Sequence, residues 1–467
     1  MKVEQLYTDC LAEAAYYIES NGEAAIVDPM REVQQYIDMA NANGVKIKYI
    51  FETHFHADFV SGHVDLAEKT GAKIVFGPTA KTEFDSIIAT DGQIFNVGDL
   101  SIEVMHTPGH TVESSTYLLK DERGKDFCIF SGDTLFIGDV GRPDLAIKSD
   151  VTKEDLAGML FDSLRSKIMP LADDVMVYPG HGAGSSCGKN MSSETYATLG
   201  DQKENNYALQ DISREDFVKE LTTGIMPAPQ YFPKAAMLNK NGYTSIDEVV
   251  SKGANALRPS EVLKLQEEGA LILDTRSKED FHEGFIKGSI FIGIDGGFAP
   301  WVGTVIKDNK QPIIIIVEVG REEEVTIRLS RVGYDNTIGY LQGGYESWKA
   351  AGLQVDEITS ILAPDLANLL KEKKDFNLID ARKPSEFEAE HSCSAINRPL
   401  DFISSEIDGL QKNEKYYVHC RTGYRSLIYT SIMKKNGIAN VVDVEGGFEA
   451  MQETDIAMTE FVCPSEN

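Results

Sequence analysis

The chain has 467 residues, 42% of them hydrophobic and 25% charged, which is ordinary globular composition in a length suited to roughly two to four domains. Its net charge of −29 argues against nucleic acid and anionic membrane as partners, since both would repel it. A small anionic substrate is not excluded, because a local cluster of arginines is enough to receive one.

The first residues, Met1-Lys2-Val3-Glu4-Gln5-Leu6, lack the apolar core of a signal peptide. Short apolar strands are then expected at Glu23–Asp28, Ile47–Glu52, Lys73–Phe76, Asp126–Phe130 and Val175–Tyr178. Helices are expected at Arg31–Asn43 and Lys153–Ile168, which makes an α/β pattern. Six of the nine histidines fall between His54 and His181. His54 and His56 follow the strand Lys48–Glu52, and His110 closes the turn His106-Thr107-Pro108-Gly109-His110. Asp133 follows the strand ending in Phe130, and His181 ends Val177-Tyr178-Pro179-Gly180-His181. One such histidine is commonly a hydrogen-bonded structural residue. All of them at strand-to-loop junctions of one α/β unit point to a metal site.

This stretch, about residues 1–250, resembles the metallo-β-lactamase superfamily, and within it the persulfide dioxygenases more than the glyoxalase II thioesterases. The motifs that carry the resemblance are Thr53-His54-Phe55-His56-Ala57-Asp58, Thr107-Pro108-Gly109-His110-Thr111, Ser131-Gly132-Asp133-Thr134-Leu135-Phe136, Gly141-Arg142-Pro143-Asp144 and Tyr178-Pro179-Gly180-His181. The resemblance implies an αββα sandwich and one Fe(II) per chain on His54, His110 and Asp133, a facial triad with open positions. It also implies that His56, Asp58 and His181 orient the ligands or contact water and substrate. A two-metal hydrolase of the superfamily needs His-x-His-x-Asp-His. Here the last position is Phe59, which has no lone pair to give. Arg142 is a candidate contact for an anionic substrate tail, or else a loop-organising partner of Asp144. Cys187, in the glycine-rich run His181–Lys189, is either a redox-sensitive thiol beside the site or a small loop residue.

A proline-rich passage from Met226 leads to Ser251-Lys252-Gly253-Ala254-Asn255-Ala256, read as a linker. An internal repeat follows. Leu271–Phe281 matches Asn377–Phe387 without a gap, setting Asp274 on Asp380, and each copy ends in Gly-Gly-aromatic-Glu (Gly343–Glu346, Gly446–Glu449). Each copy has a domain's length, so the expected organisation is one large domain over 1–250 and two related α/β domains over 256–355 and 357–467. In the second copy, the strand through Tyr416–His419 runs into Cys420-Arg421-Thr422-Gly423-Tyr424-Arg425 and then a helix. A cysteine facing a helix start and two arginines is favoured as a thiolate.

Residues 357–460 resemble the rhodanese domains, through Asp380-Ala381-Arg382, the Cys420 loop and Gly446-Gly447-Phe448. The resemblance implies that Cys420 carries a persulfide and that Arg421, Thr422, Gly423, Tyr424 and Arg425 cradle an anion. In the first copy, the residue 26 before Gly343 is Val317, followed by the acidic Glu318-Val319-Gly320-Arg321-Glu322-Glu323-Glu324. Neither nucleophile nor cradle survives there, so that domain is expected to be inactive.

Together the resemblances imply an enzyme that oxidises a low-molecular-weight thiol persulfide to sulfite with O2, then passes sulfane sulfur through Cys420 to sulfite, giving thiosulfate. Widely spaced cysteines without a CxxC read as free thiols of a reducing compartment, so a cytoplasmic protein is expected. Homo-oligomers are expected by the same resemblance, and the thiol carrier stays open. The competing readings are a zinc-dependent thioesterase of glyoxalase II type with appended rhodanese domains, and a non-enzymatic sulfur carrier or sensor.

Overall fold

The computed structural model describes residues 1–145, 151–372 and 376–462. Contacts divide the chain into two units, Met1–Asp247 with Ser330–Gly333, and Glu248–Leu329 with Tyr334–Asn467.

In the first unit, two six-stranded sheets face each other. One runs Lys2–Thr8, Glu13–Ser20, Glu23–Val27, Lys46–Glu52, Lys73–Phe76, Ile87–Ile88; its first three strands are antiparallel and the rest join in parallel. The other runs Ala197–Thr198, Met176–Pro179, Asp126–Gly132, Ser115–Lys120, Leu100–His106, Ile94–Val97. Side-chain alternation sets the layers. Phe51 and Phe130 point between the sheets, with Tyr16, Val75, Val104 and Tyr117. Their neighbours Ile50 and Ile129 point outward, Ile50 to a layer with Tyr36 and Leu66 and Ile129 to one with Leu160 and Phe217. The result is the expected four-layer αββα sandwich, buried on both faces of each sheet.

Local chemistry explains most boundaries. Thr152 caps the helix Lys153–Ser163 in a reciprocal box with Asp155. The expected helix to Ile168 changes pitch at its end, where Leu164–Ile168 forms a π-helical turn. The expected linker is partly helical, since Ser251–Gly253 close the helix Ile246–Gly253.

The second unit contains two five-stranded parallel sheets of the same order. The first is Ala256–Leu257, Thr337–Leu341, Ile313–Ile316, Leu271–Asp274, Ile290–Phe291. The second is Thr359–Leu362, Val441–Glu445, Tyr416–His419, Leu378–Asp380, Ala395–Asn397. The repeated motifs form one device in each. Arg276 grips buried Asp274 through two nitrogens (2.9 and 2.7 Å) with its guanidinium 4.4 Å from the Tyr345 ring. Arg382 grips Asp380 likewise (3.0 and 2.6 Å), 3.7 Å from the Phe448 ring. Asp-x-Arg and Gly-Gly-aromatic are thus the two halves of one buried clasp. Strand register pairs Asp274 with Ile316 and Asp380 with His419, so Val317 and Cys420 occupy equivalent places.

Candidate metal centre and cysteine loop

His54, His110 and Asp133 leave three different strand ends of the first unit and converge, with one ligand atom of each lying within 4.8 Å of the others. Asp133 Oδ2 is 3.3 Å from His110 Nε2 and 3.9 Å from His54 Nε2. The far ring nitrogens are engaged. His110 Nδ1 donates to the Arg142 carbonyl at 2.8 Å. His54 Nδ1 lies 2.9 Å from Thr53 Oγ1, whose own hydrogen goes to Asp28. Both imidazoles therefore present a bare Nε2 to the centre, the arrangement that serves metal ligation. Burial, then the charges of His56, His110 and His181, hold His54 well below the usual histidine range. The loops come close only because they carry glycine. A Cβ on Gly141 would lie 2.2 Å from the Asp133 carbonyl oxygen and 2.9 Å from His110 Nδ1. Among the described residues, neither carboxylate oxygen of buried Asp133 finds a hydrogen-bond donor. A buried anion without donors calls for a cation.

Beside this trio stands another, His56, Asp58 and His181. His181 Nε2 lies 3.3 Å from Asp58 Oδ2 and 3.6 Å from Asp133 Oδ1, while its Nδ1 is 3.2 Å from the Ala12 carbonyl. His56 also meets two carboxylates on its other side, with Nε2 3.0 Å from Asp28 Oδ1 and 3.7 Å from Glu52 Oε2. Burial works against its charge, but Asp28, Glu52 and Asp58 prevail and hold it up at about 9. The fully buried ring of Phe59 packs 4.4 Å from that of His56. Asn239 fixes the loop by donating to the carbonyls of His56 and Phe59, both at 2.7 Å. Asp28, Glu52 and Asn239 are the supporting residues that sequence reasoning missed. Asp28 and Glu52 each close an apolar strand, as Asp133 does, and that shared placement was the available signal.

Cys187 is buried beside Asp133 and His181, and burial, with Asp58 and Asp133 adding to it, pushes its thiol up. Arg142 serves the loop. Its guanidinium binds both oxygens of Asp144 (2.7 Å each) and the carbonyls of Ser186 and Met226. Each of its guanidinium nitrogens makes at least one of these bonds, which is the loop-organising role.

In the second unit, Cys420 follows the strand Tyr416–His419, and its Sγ accepts the amide of Gly423 at 3.2 Å, just before the helix Tyr424–Lys435. The two arginines of the loop engage carboxylates. Arg425 forks onto Glu386 (2.5 and 2.8 Å), and exposed Arg421 meets Glu449 at 2.7 Å. Thr422 lies exposed at the turn. The cradle around the sulfur is therefore main-chain amide first, with Arg425 braced behind it. In the equivalent loop after Val317, Arg321 is tied to Asp295 and Glu324.

A model of the metallo-beta-lactamase superfamily matches residues 8–181, and a model of the rhodanese-like domain matches twice, at 258–351 and 362–454. A solved structure, described as a metallo-beta-lactamase from Staphylococcus aureus, is 33% identical, covers 73% of this chain and 98% of its own, and superposes with a TM-score of 0.64. A mitochondrial persulfide dioxygenase of Bos taurus is 28% identical over 46% of this chain and 78% of its own length. A hydroxyacylglutathione hydrolase of Haemophilus influenzae is 26% identical over 41% of this chain and 89% of its own. The chain spans only 61% and 47% of the length of two beta-lactamase hydrolase-like proteins that it also matches. Among the described residues, no helix is long and apolar enough to cross a membrane.

Proposed function

We propose a function from this premise: the chain belongs to the metallo-beta-lactamase superfamily and carries two rhodanese-like domains behind that fold. The reading is a persulfide dioxygenase joined to a sulfurtransferase. The observation that carries it is the convergence of His54, His110 and Asp133, together with Phe59, an apolar ring packed on His56 in the motif position where a second metal's ligand belongs. These residues fit a single ion: two bare Nε2 atoms and a carboxylate without donors are a two-histidine, one-carboxylate set. His54, His110 and Asp133 would hold Fe(II), which supplies the redox chemistry that O2 activation requires and Zn²⁺ lacks.

The remaining steps belong to the chain's own groups. Thr53 and the Arg142 carbonyl keep the two imidazoles in the ligating tautomer. The overall oxidation is RSSH + O2 + H2O → RSH + SO3²⁻ + 2H⁺. At the second site, the Cys420 thiolate attacks the outer sulfur of another persulfide, leaving Cys420–S–S⁻ and releasing RSH. Sulfite then attacks that outer sulfur, thiosulfate departs, and the electron pair of the broken S–S bond returns to Cys420 Sγ. The Gly423 amide is placed to stabilise negative charge on that sulfur. Both sites consume the same compound, which accounts for their fusion in one chain.

One observation favours the zinc thioesterase instead. His56, Asp58 and His181 form another compact trio, and hydroxyacylglutathione hydrolases match at similar identity. Metal analysis after anaerobic purification, with an oxygen electrode and glutathione persulfide, separates the two. Iron with oxygen uptake is expected, whereas zinc with thioester hydrolysis and no oxygen uptake overturns the reading.

A further inference from the structure

In the rhodanese-like domain without a nucleophile, Gly293 and Gly296 leave a space that a residue of the Cys420 loop fills. We infer that this middle domain is a template that fixes the reactive loop of its neighbour, with Tyr424 as the positioning residue. The inference rests on Cys420 being the sulfur carrier.

Tyr424 directly follows Gly423, whose amide meets Cys420 Sγ, so whatever fixes Tyr424 also fixes that amide. The Tyr424 hydroxyl donates to the Gly293 carbonyl at 2.7 Å. Its ring stands edge-on to Phe291, with centroids 6.0 Å apart. A Cβ on Gly296 would lie 2.3 Å from Tyr424 Cζ, and one on Gly293 would lie 3.4 Å from Cε2. Neither glycine has a positive φ, so their smallness serves space for the ring and not backbone conformation. Burial pushes the phenol up.

The contact continues along the helix Tyr424–Lys435, whose residues Ser426–Met433 are all buried. A helix buried all round needs cover on every side. Its Ser431 Oγ accepts the amide of Phe291 at 3.0 Å, which satisfies the outer edge of the strand Ile290–Phe291. Lys434 reaches Asp356 at 2.8 Å. The Cys420 loop and the helix start behind it are thus held from two sides, by their own sheet and by the middle domain.

The test uses the full chain and compares Tyr424→Phe, which removes one hydroxyl, with Gly296→Val, which fills the cleft. Gly409→Ala, in open space, is the control. Thiosulfate formation from glutathione persulfide and sulfite gives kcat and KM. The pH profile of Cys420 alkylation by iodoacetamide, followed by mass spectrometry, reports the sulfur's surroundings. In Tyr424→Phe and Gly296→Val, kcat should fall about tenfold while KM for sulfite stays within about twofold, and the alkylation profile should move. Oxygen uptake should be unaltered, and the control should match the parent chain. If Gly296→Val fails to fold, Tyr424→Phe carries the result. Parental kcat and an unmoved alkylation profile in Tyr424→Phe would overturn the inference. Thiosulfate formation retained in Cys420→Ser would instead overturn the reading beneath it, so the two failures are distinguishable.

Discussion

The amide of Phe448 donates a 2.7 Å hydrogen bond to the carbonyl of Cys420. A Cβ on the preceding Gly447 would lie 2.5 Å from that same oxygen, and Gly447 itself has φ +60°. The Gly-Gly-Phe motif is therefore part of the cysteine loop's seat, and Phe448 also covers the guanidinium of Arg382. Loop, clasp and glycine pair form one continuous assembly.

That assembly sets a stability expectation. Arg382→Ala would leave the fully buried Asp380 carboxylate without its fork, a loss of about 3–5 kcal/mol for a broken buried pair. Urea unfolding followed at the second unit should show it, while iron content stays at the parental level.

Iron stoichiometry tests the metal centre. One Fe(II) per chain is expected, and His110→Ala should abolish both iron binding and oxygen uptake. Two tightly held zinc ions in an active chain would contradict the assignment of His54, His110 and Asp133.

Products should separate by site. Cys420→Ser should still consume oxygen but accumulate sulfite, because a serine hydroxyl stays protonated at neutral pH and is a poor sulfur acceptor. His54→Ala should stop oxygen uptake yet form thiosulfate when persulfide and sulfite are both supplied. Oxygen, sulfite and thiosulfate measured in each variant decide it.

Restoring a cysteine should not restore the middle domain. Val317→Cys in a Cys420→Ser background should transfer no sulfur, because acidic residues replace the cradle and Arg321 is tied to Asp295 and Glu324. Recovery of even about a tenth of parental thiosulfate formation would contradict this.

A pH dependence follows from Glu386. Burial opposes its ionisation, but the Arg425 fork prevails and holds the carboxyl below its usual value of 4.5. A folded-state pKa below the unfolded one means that this pair contributes its stability above about pH 4.5, and that the contribution is lost as pH falls through the lowered value. The acid limb of unfolding in the second unit should therefore flatten in Glu386→Gln, as checked by thermal melts between about pH 3 and 7.

The sequence alone determined the α/β pattern and the repeat. The apolar runs through Ile50-Phe51 and Ile129-Phe130 marked strands, but with both faces buried only the fold decided that the phenylalanines face between the sheets and the isoleucines outward. The 26-residue offset from the glycine pairs correctly placed Val317 opposite Cys420, since a parallel sheet carries that spacing into register. Strand ends likewise flagged His54, His110 and Asp133. Partner choice was decided only by the tertiary structure. For Arg142 the sequence offered both an anionic substrate and Asp144, and for Arg425 only an anion, yet a guanidinium goes to the carboxylate that folding brings within reach. Here those are Asp144, two residues along, and Glu386, 39 residues away. His56 shows the same limit: the motif placed it near the centre, but only the fold brought Asp28 within 3.0 Å of its Nε2 and the Phe59 ring against its own.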